Sequence, residues 1–330
     1  MVFPTSVIRK LAPSEEWYAQ SVTFGAIALQ LSGPVDTDAM SVAFDALLDS
    51  HLVLAGHLEK GPDGRHQIVT DDLLHPGILI VGGDNRASSE TSRIELDPSV
   101  SLVNLMVKPA DGRAELILCA HHSLADGYHL AGLLVELFSR YTDVVSTGSA
   151  GPVSAQAAPE PLEAVLEQRG IQKKQRSGLE RFMPAMFAYE LSSPRPAERL
   201  CNPASPVAVP AARGRLTERE TTALVEFGQG HRLFLNQLVS AAILLAEWRI
   251  RKTPDIPIPY VYVVDLRPLL EPPVPPMGAT NPLGMATYLA AIKPNTTRNQ
   301  NTTTEKTMAC SAWARNITRA RLIFSGLLSG

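Results

Sequence analysis

Four side chains that can carry a proton or bind a metal ion lie within nine residues of one another. His121 and His122 are adjacent, Asp126 comes four residues after His122, and His129 lies three residues further on. An imidazole titrates near neutral pH and can take a proton from an alcohol or an amine, while a nearby carboxylate fixes the local geometry. This cluster is therefore the first candidate for general-base catalysis.

Two other interpretations of the cluster stay open from residue types alone. Asp126 could simply cap a helix, with the histidines as polar residues at the end of a strand. Imidazoles and a carboxylate also bind zinc and similar ions, although the remaining histidines and cysteines show no paired spacing that would complete a coordination shell. Ser123 adjoins His122, but neighbouring strand residues point to opposite faces and no G-x-S-x-G sequence occurs, so a serine nucleophile is not expected.

The sequence around the cluster predicts a strand before it and a helix after it. Residues 102–108 and 113–120 alternate in the manner of strands, and Asp111-Gly112 between them indicates a hairpin turn. From Leu130 to Tyr141, apolar residues recur at helical spacing. We therefore expect the cluster at a strand-to-helix junction, where side chains can be presented to a ligand.

Periodicity predicts further elements of both kinds, so the fold class is α/β. Predicted strands cover residues 22–31, 257–264 and 284–292, and predicted helices cover residues 36–54, 177–190, 217–228 and 235–250.

Length and composition predict two lobes joined by a linker. A chain of 330 residues exceeds a typical single core, and residues 146–161 are rich in Gly, Ser, Ala and Pro. We predict an N-terminal lobe over residues 1–150 carrying the cluster, a linker with crossover helices over 151–212, and a partial C-terminal lobe over 213–293. The Thr- and Asn-rich residues 294–330 are predicted to form a divergent, disordered tail.

Charge and cysteine usage exclude several classes of partner. The net charge is -3 and charged residues make up 19% of the chain, so we expect no nucleic-acid partner. Three widely spaced cysteines do not form a disulfide framework. The chain has neither an export signal nor an apolar run of the ~20 residues that a spanning helix needs, so we expect no transmembrane segment and a cytoplasmic location, with a place peripheral to the inner membrane face left open.

The cluster resembles a family signature. His121-His122-x-x-x-Asp126-Gly127 is similar to the H-H-x-x-x-D-G motif of the condensation-domain and coenzyme-A-dependent acyltransferase superfamily. Four further segments resemble the mycobacterial polyketide-associated acyltransferases, which esterify phthiocerol and phthiodiolone with mycocerosic acids; they lie at residues 6–11, 44–48, 136–143 and 256–262. The likeness runs from about residue 2 to residue 293.

The resemblance implies a fold and a set of catalytic roles. The fold would be two-lobed, each lobe a mixed sheet with helices, the second lobe incomplete, with a tunnel between the lobes. His122 would be the general base, His121 a supporting residue, and Asp126 a structural, orienting residue paired with an arginine, for which Arg267 is the candidate. Gly127 would let the chain turn closely into the helix. Asn281 is a weaker candidate for a residue of the tunnel wall.

The same resemblance implies substrates and partners. The acyl group would arrive as a thioester of coenzyme A or of the acyl carrier domain of mycocerosic acid synthase or a similar polyketide synthase, and the acceptor would be a long-chain diol. No cofactor and no metal ion are implied, and a monomer is expected.

An alternative function follows from the point at which the likeness ends. The change near residue 293 is the pattern that a frameshift or a premature stop produces, so the chain could be a catalytically inactive, truncated remnant that binds only the polyketide synthase or the acyl carrier.

Overall fold

The computed structural model describes residues 6–70, 77–81, 96–171, 179–192, 214–251, 253 and 255–291. The predicted disordered tail at 294–330 lies outside these residues, as do residues 172–178 and 193–212 of the predicted linker and crossover segment at 151–212. The chain divides into two compact units, residues 1–172 with 265–283 and residues 173–264 with 284–330. The lobe boundaries drawn from composition stay predictions.

The first unit contains strands and helices in mixed order. Its elements are β1 (Ser6–Lys10), α1 (Pro13–Ser21), β2 (Phe24–Ser32), α2 (Thr37–Ser50), β3 (His57–Lys60), β4 (His66–Thr70), β5 (Ile78–Ile80), β6 (Val103–Ala110), β7 (Arg113–His121), α3 (Gly127–Thr147) and α4 (Leu162–Gln168).

A four-stranded sheet in the order β2-β7-β6-β5 carries the motif. The predicted hairpin is confirmed, since β6 and β7 pair antiparallel with Ala110 opposite Arg113. On its other side β7 pairs antiparallel with β2, which places Phe24 opposite His121. Along β7, buried and less buried residues alternate as far as Leu118, and from there to His121 every residue is buried. The strand therefore carries its last residues into the interior of the unit.

Helices α2 and α3 cover this sheet. Asp36 caps α2 by accepting from the backbone amides of Asp38 and Ala39, both at 3.0 Å. The apolar faces of the two helices and the inward-facing side chains of β6 and β7 form one core, which includes Phe44, Leu116 and Leu133. The predicted helix at 36–54 ends earlier than expected, because α2 stops at Ser50 and a 3-10 turn follows over Leu52–Ala55.

A second sheet in the order β1-β4-β3 holds α1 in place. His66 at the start of β4 is bound twice by Glu16 of α1, whose carboxylate accepts from the His66 backbone amide at 2.6 Å and lies 2.8 Å from its Nδ1. These three strands, which have weak local patterns, were not predicted from the sequence.

The second unit is built from three helices and two strands. Its elements are α5 (Leu179–Ser192), α6 (Glu218–His231), α7 (Leu235–Arg251), β8 (Ile258–Asp265) and β9 (Leu283–Ala290). These confirm the helices and strands predicted for this part of the chain. Leu244, Ile258 and Ala290 form a small core between α7 and the β8–β9 pair. Among the described residues no single helix is long and apolar enough to cross a membrane. One pair of consecutive helices, α6 and α7, has the combined length and apolar composition of a membrane-crossing segment, but the two helices are bent by 103° relative to each other.

Candidate active site

The predicted strand-to-helix junction is present, and the motif lies on it. His121 is the last residue of β7 and Gly127 is the first residue of α3. The backbone amide of His122 donates to the Thr23 carbonyl at 2.8 Å, which continues the pairing of β7 with the chain before β2. Asp126 caps α3 by accepting from the amide of His129 at 3.0 Å. Hydrogen bonds at the end of β7 and at the start of α3 thus fix the backbone from which the motif side chains extend.

The His122 side chain is half-buried and lies against an aromatic ring. Its imidazole stacks on the phenol ring of Tyr18 from α1, with 4.3 Å between the ring centroids and 6° between the planes. The amide of Asn281 donates to the His122 carbonyl oxygen. The ring nitrogen Nδ1 is buried and has no hydrogen-bond partner among the described residues. Within the described part of the chain, no carboxylate is bonded to a ring nitrogen of His122.

Asp126 and Arg267 form a buried ion pair although 141 residues separate them in the sequence. Arg267 donates from its two terminal nitrogens to the two carboxylate oxygens at 2.6 and 2.9 Å, and both residues are 4% exposed. Arg267 also donates to Asp265 at 3.2 Å. Because Arg267 and the helix cap occupy both oxygens of Asp126, this carboxylate is suited to hold the junction together and not to exchange protons with a ligand.

His121 is fully buried and bonded to Ser123. Its Nδ1 lies 2.8 Å from the Ser123 hydroxyl and 3.3 Å from the Ser123 backbone amide. Since a backbone N–H can only donate, Nδ1 is the acceptor and the proton of the neutral ring is on Nε2. Burial, and then the neighbouring His122, lowers the pKa of His121 to about 4. His121 is therefore neutral at pH 7, and Ser123 contacts the buried histidine and not His122.

The structure gives a different account of Gly127 from the one expected. The resemblance implied that glycine allows a close turn into the helix. Gly127 is exposed, its backbone is not in the left-handed region, and a Cβ added there would meet no described atom within 4 Å. Neither backbone strain nor packing against the described residues therefore requires glycine at this position.

A segment of the chain at residues 278–282 crosses the motif, and sequence reasoning found only part of it. The Thr280 carbonyl accepts from the Asp126 amide at 3.2 Å, and the Thr280 hydroxyl donates to Glu15 at 2.8 Å. Asn281, whose place in a tunnel wall stays a prediction, donates from its side-chain amide to the backbone carbonyl oxygen of His122. Thr280 and Glu15 were missed because the pattern around each one has no signal for a contact 265 residues away.

His129, on the first turn of α3, is held by the same segment. It is 2% exposed, and its Nδ1 lies 3.2 Å from the carbonyl oxygen of Ala279, to which it can donate. Burial is the largest effect on this ring and lowers its pKa to about 4. His129 is thus a neutral, structural histidine.

The geometry shows which side chains of the cluster can exchange a proton with a ligand and which cannot. His121 and His129 are enclosed and neutral, and Asp126 is bound to Arg267, whereas His122 alone among the motif histidines is partly open. In the part of the chain that the structure describes, no group of three or more His, Cys, Asp or Glu side chains is arranged to hold a metal ion. The arrangement suits proton transfer by His122 better than metal binding.

Comparisons with known proteins place the chain among named relatives. Residues 205–298 match the family described as phthiocerol/phthiodiolone dimycocerosyl transferase C-terminus. A phthiocerol/phthiodiolone dimycocerosyl transferase of Mycobacterium sp. (strain JLS) is 57% identical over 297 residues, which are 90% of this chain and 71% of the relative. The protein of the same name from Mycobacterium leprae is 53% identical over 299 residues, which are 89% of this chain and 71% of that protein.

Solved structures show the same fold. Polyketide synthase associated protein 5 from Mycobacterium tuberculosis superposes with a TM-score of 0.79 at 45% identity, over 98% of this chain and 74% of that one. The first condensation domain of the calcium-dependent antibiotic synthetase superposes with a TM-score of 0.62 at 15% identity, over 94% of this chain and 74% of that domain, which supports the fold alone. The fold predicted from the motif, a two-lobed α/β acyltransferase of the condensation-domain type, is confirmed. By its identity to relatives that it covers to more than two thirds of their length, the chain belongs to the phthiocerol/phthiodiolone dimycocerosyl transferase family.

Proposed function

We propose that this chain is an O-acyltransferase that esterifies the hydroxyls of phthiocerol- and phthiodiolone-type long-chain diols with mycocerosic acyl groups, taken from a thioester. The observation that carries the proposal is the 57% identity, over 90% of the chain, to a transferase named for that reaction. The site supplies the group that such a reaction needs, a half-buried imidazole at a strand-to-helix junction.

In the proposed mechanism His122 is the general base. Its imidazole takes the proton from a hydroxyl of the diol, and the oxygen attacks the carbonyl carbon of the thioester. The carbon–sulfur bond then breaks, and the imidazolium returns the proton to the leaving thiolate. The products are an ester and a free thiol, and the ring ends in the state in which it began. No acyl-enzyme forms in this sequence, which agrees with the burial of Ser123 against His121.

The remaining motif residues act through His122. The Asp126–Arg267 pair ties the start of α3 to the chain just after β8, and so holds the helix end of the junction in place. His121 supports the strand end as a neutral ring. Gly127 keeps the first turn of α3 free of a side chain, and that open space leaves room for substrate beside the junction.

The proposal also covers the carrier that donates the acyl group and the location of the enzyme in the cell. A protein of this fold is named as associated with a polyketide synthase. We therefore expect the acyl group to come from the acyl carrier domain of mycocerosic acid synthase or a similar synthase, with coenzyme A as the alternative carrier. A cytoplasmic enzyme peripheral to the inner membrane face fits a lipid acceptor.

Product analysis tests this function. The purified chain is incubated with a long-chain diol and a methyl-branched acyl group carried either by coenzyme A or by an acyl carrier domain, and esters are measured by mass spectrometry. We expect mono- and diesters from the wild type and none above background from His122→Ala. His231→Ala, which changes a histidine of α6 in the second unit, is the matched control and should keep activity.

Two outcomes would contradict the proposal. If the folded wild type forms no ester with either donor but still binds the carrier domain, the chain acts as a binding remnant. If His122→Ala forms ester as fast as the wild type, the chain is a transferase that uses another base.

A further inference from the structure

The orientation of the His122 ring raises a question that the motif leaves unanswered. A general base works only when its nitrogen points at the proton it removes, so the plane of the ring has to be fixed. The bond that turns an imidazole about its own axis has a broad, soft torsional profile. A non-covalent contact must therefore fix the plane of the His122 ring.

Hydrogen bonds to the described residues do not explain how the ring is held. The bonds that His122 makes to Thr23 and Asn281 use its backbone nitrogen and oxygen, which fix the start of the side chain but leave the ring free to turn. The buried Nδ1 has no partner among the described residues. The Asp126 carboxylate, which could orient a ring in another arrangement, is bound to Arg267.

Tyr18 makes the contact that can fix the plane. Its ring lies parallel to the imidazole at 4.3 Å and 6°, so any rotation of the imidazole would drive it into the phenol face. When the imidazole takes up a proton, the same face attracts the cation. Burial, and then the charge of Asp126, raises the pKa of Tyr18 above its ordinary value, which favours the neutral phenol as the stacking partner.

The helix that carries Tyr18 is anchored firmly by three consecutive residues. Glu15 is fully buried and accepts from Arg9 at 2.7 and 2.8 Å as well as from Thr280. Ser14 bonds to Glu163 of α4 through both its backbone amide and its hydroxyl, at 2.9 and 2.8 Å. Glu16 bonds to β4, as described above. A helix tied to three elements is a rigid support for one ring.

We propose that Tyr18 is a positioning residue for the reaction, whose aromatic face, and not its hydroxyl, sets the plane of the His122 imidazole. This deepens the proposed function and rests on it for its kinetic consequence. The structural consequence, a ring plane that depends on Tyr18, can be measured without turnover.

Two substitutions separate the face from the hydroxyl. Tyr18→Phe keeps the stacked ring, whereas Tyr18→Leu replaces it with an apolar side chain that has no flat face. Gln20→Leu, at an exposed position of the same helix, is the matched control. Steady-state kinetics gives kcat and KM for each variant. Proton–carbon spectra of protein labelled at histidine give the imidazole signals of His122, assigned by their loss in His122→Gln.

The expected results are specific to the aromatic face. Tyr18→Leu should lower kcat by roughly 10- to 100-fold because the base is no longer aligned, with KM within about 3-fold of the wild type. Tyr18→Phe and Gln20→Leu should stay close to the wild type. The His122 ring protons, shifted upfield by the stacked phenol, should move downfield in Tyr18→Leu and remain in place in Tyr18→Phe.

Three results would overturn the proposal. One is a kcat of Tyr18→Leu equal to that of the wild type. Another is an equal loss in Tyr18→Phe and Tyr18→Leu, which would make the hydroxyl the acting group. The third is a set of His122 signals that is the same in wild type and Tyr18→Leu. Because this comparison needs no turnover, it tests the role of Tyr18 even if the folded wild type is inactive and the proposed function fails.

Discussion

Removing both partners of the Asp126–Arg267 pair should destabilise the first unit by less than the sum of the two single removals. Each residue is 4% exposed and each is the main counter-charge of the other. Breaking a buried pair by deleting one charge typically costs about 3–5 kcal/mol, because the remaining charge stays buried without compensation. Replacing both charges avoids that penalty.

The contacts that remain in each variant set the size of its loss relative to that range. Asp126→Asn keeps an oxygen to cap α3, and Arg267 keeps its second partner Asp265 at 3.2 Å, so we expect a loss of about 2–3 kcal/mol. Arg267→Met leaves the Asp126 carboxylate with one backbone donor in a closed site, so we expect about 3–4 kcal/mol. The double variant should lose about 2–3 kcal/mol less than the sum of the two.

Urea unfolding at pH 7 measures these values. Circular dichroism and tryptophan fluorescence are followed together, since coincident transitions are needed before a single free energy of unfolding is assigned. The exposed pair Lys10–Asp63, whose side chains are 54% and 42% exposed, is the control, and the losses of its two single variants should add in the double variant. Additive losses at Asp126 and Arg267, within about 0.5 kcal/mol, would refute the account of this pair.

Three further substitutions test other parts of the first unit by urea unfolding. Because burial lowers the pKa of His129 from 6.5 to about 4, the unfolded chain binds a proton that the folded chain does not between those values, and stability falls as the pH drops through that window. His129→Gln should therefore lose about 2 kcal/mol less than the wild type between pH 7 and pH 5, and equal losses would contradict the assignment. Glu15→Gln should lower the free energy of unfolding by about 3 kcal/mol, since it leaves Arg9 without its carboxylate, and a loss below about 1 kcal/mol would show that the Glu15 charge is not needed. Val22, exposed and held at φ 48°, is strained in the left-handed region, so Val22→Gly should raise the free energy of unfolding by about 0.5–1 kcal/mol, and a decrease would show that its side chain stabilises the turn.

Local patterns predicted the elements that carry the motif because those elements are specified by neighbours in the sequence. The β6–β7 hairpin follows from two alternating segments around Asp111-Gly112, and α3 follows from the spacing of Leu130 to Tyr141. The junction between them needed no tertiary information.

Contacts across long stretches of chain could not be predicted in this way. Arg267 was proposed as the partner of Asp126 from the family resemblance, since no local pattern links positions 141 residues apart. Tyr18 lies on a helix of weak amphipathic pattern, and its contact with His122 depends on how α1 is anchored. The domain limits, and the roles assigned to the site residues, remain predictions.

The most direct test of the central claim is the release of free thiol from a long-chain acyl-coenzyme A, with and without a long-chain alcohol, by the wild type and by His122→Ala. We predict release that depends on the alcohol and falls at least about 100-fold in the variant, as expected when a general base is removed. Alcohol-dependent release that is unchanged in a folded His122→Ala protein would contradict the account.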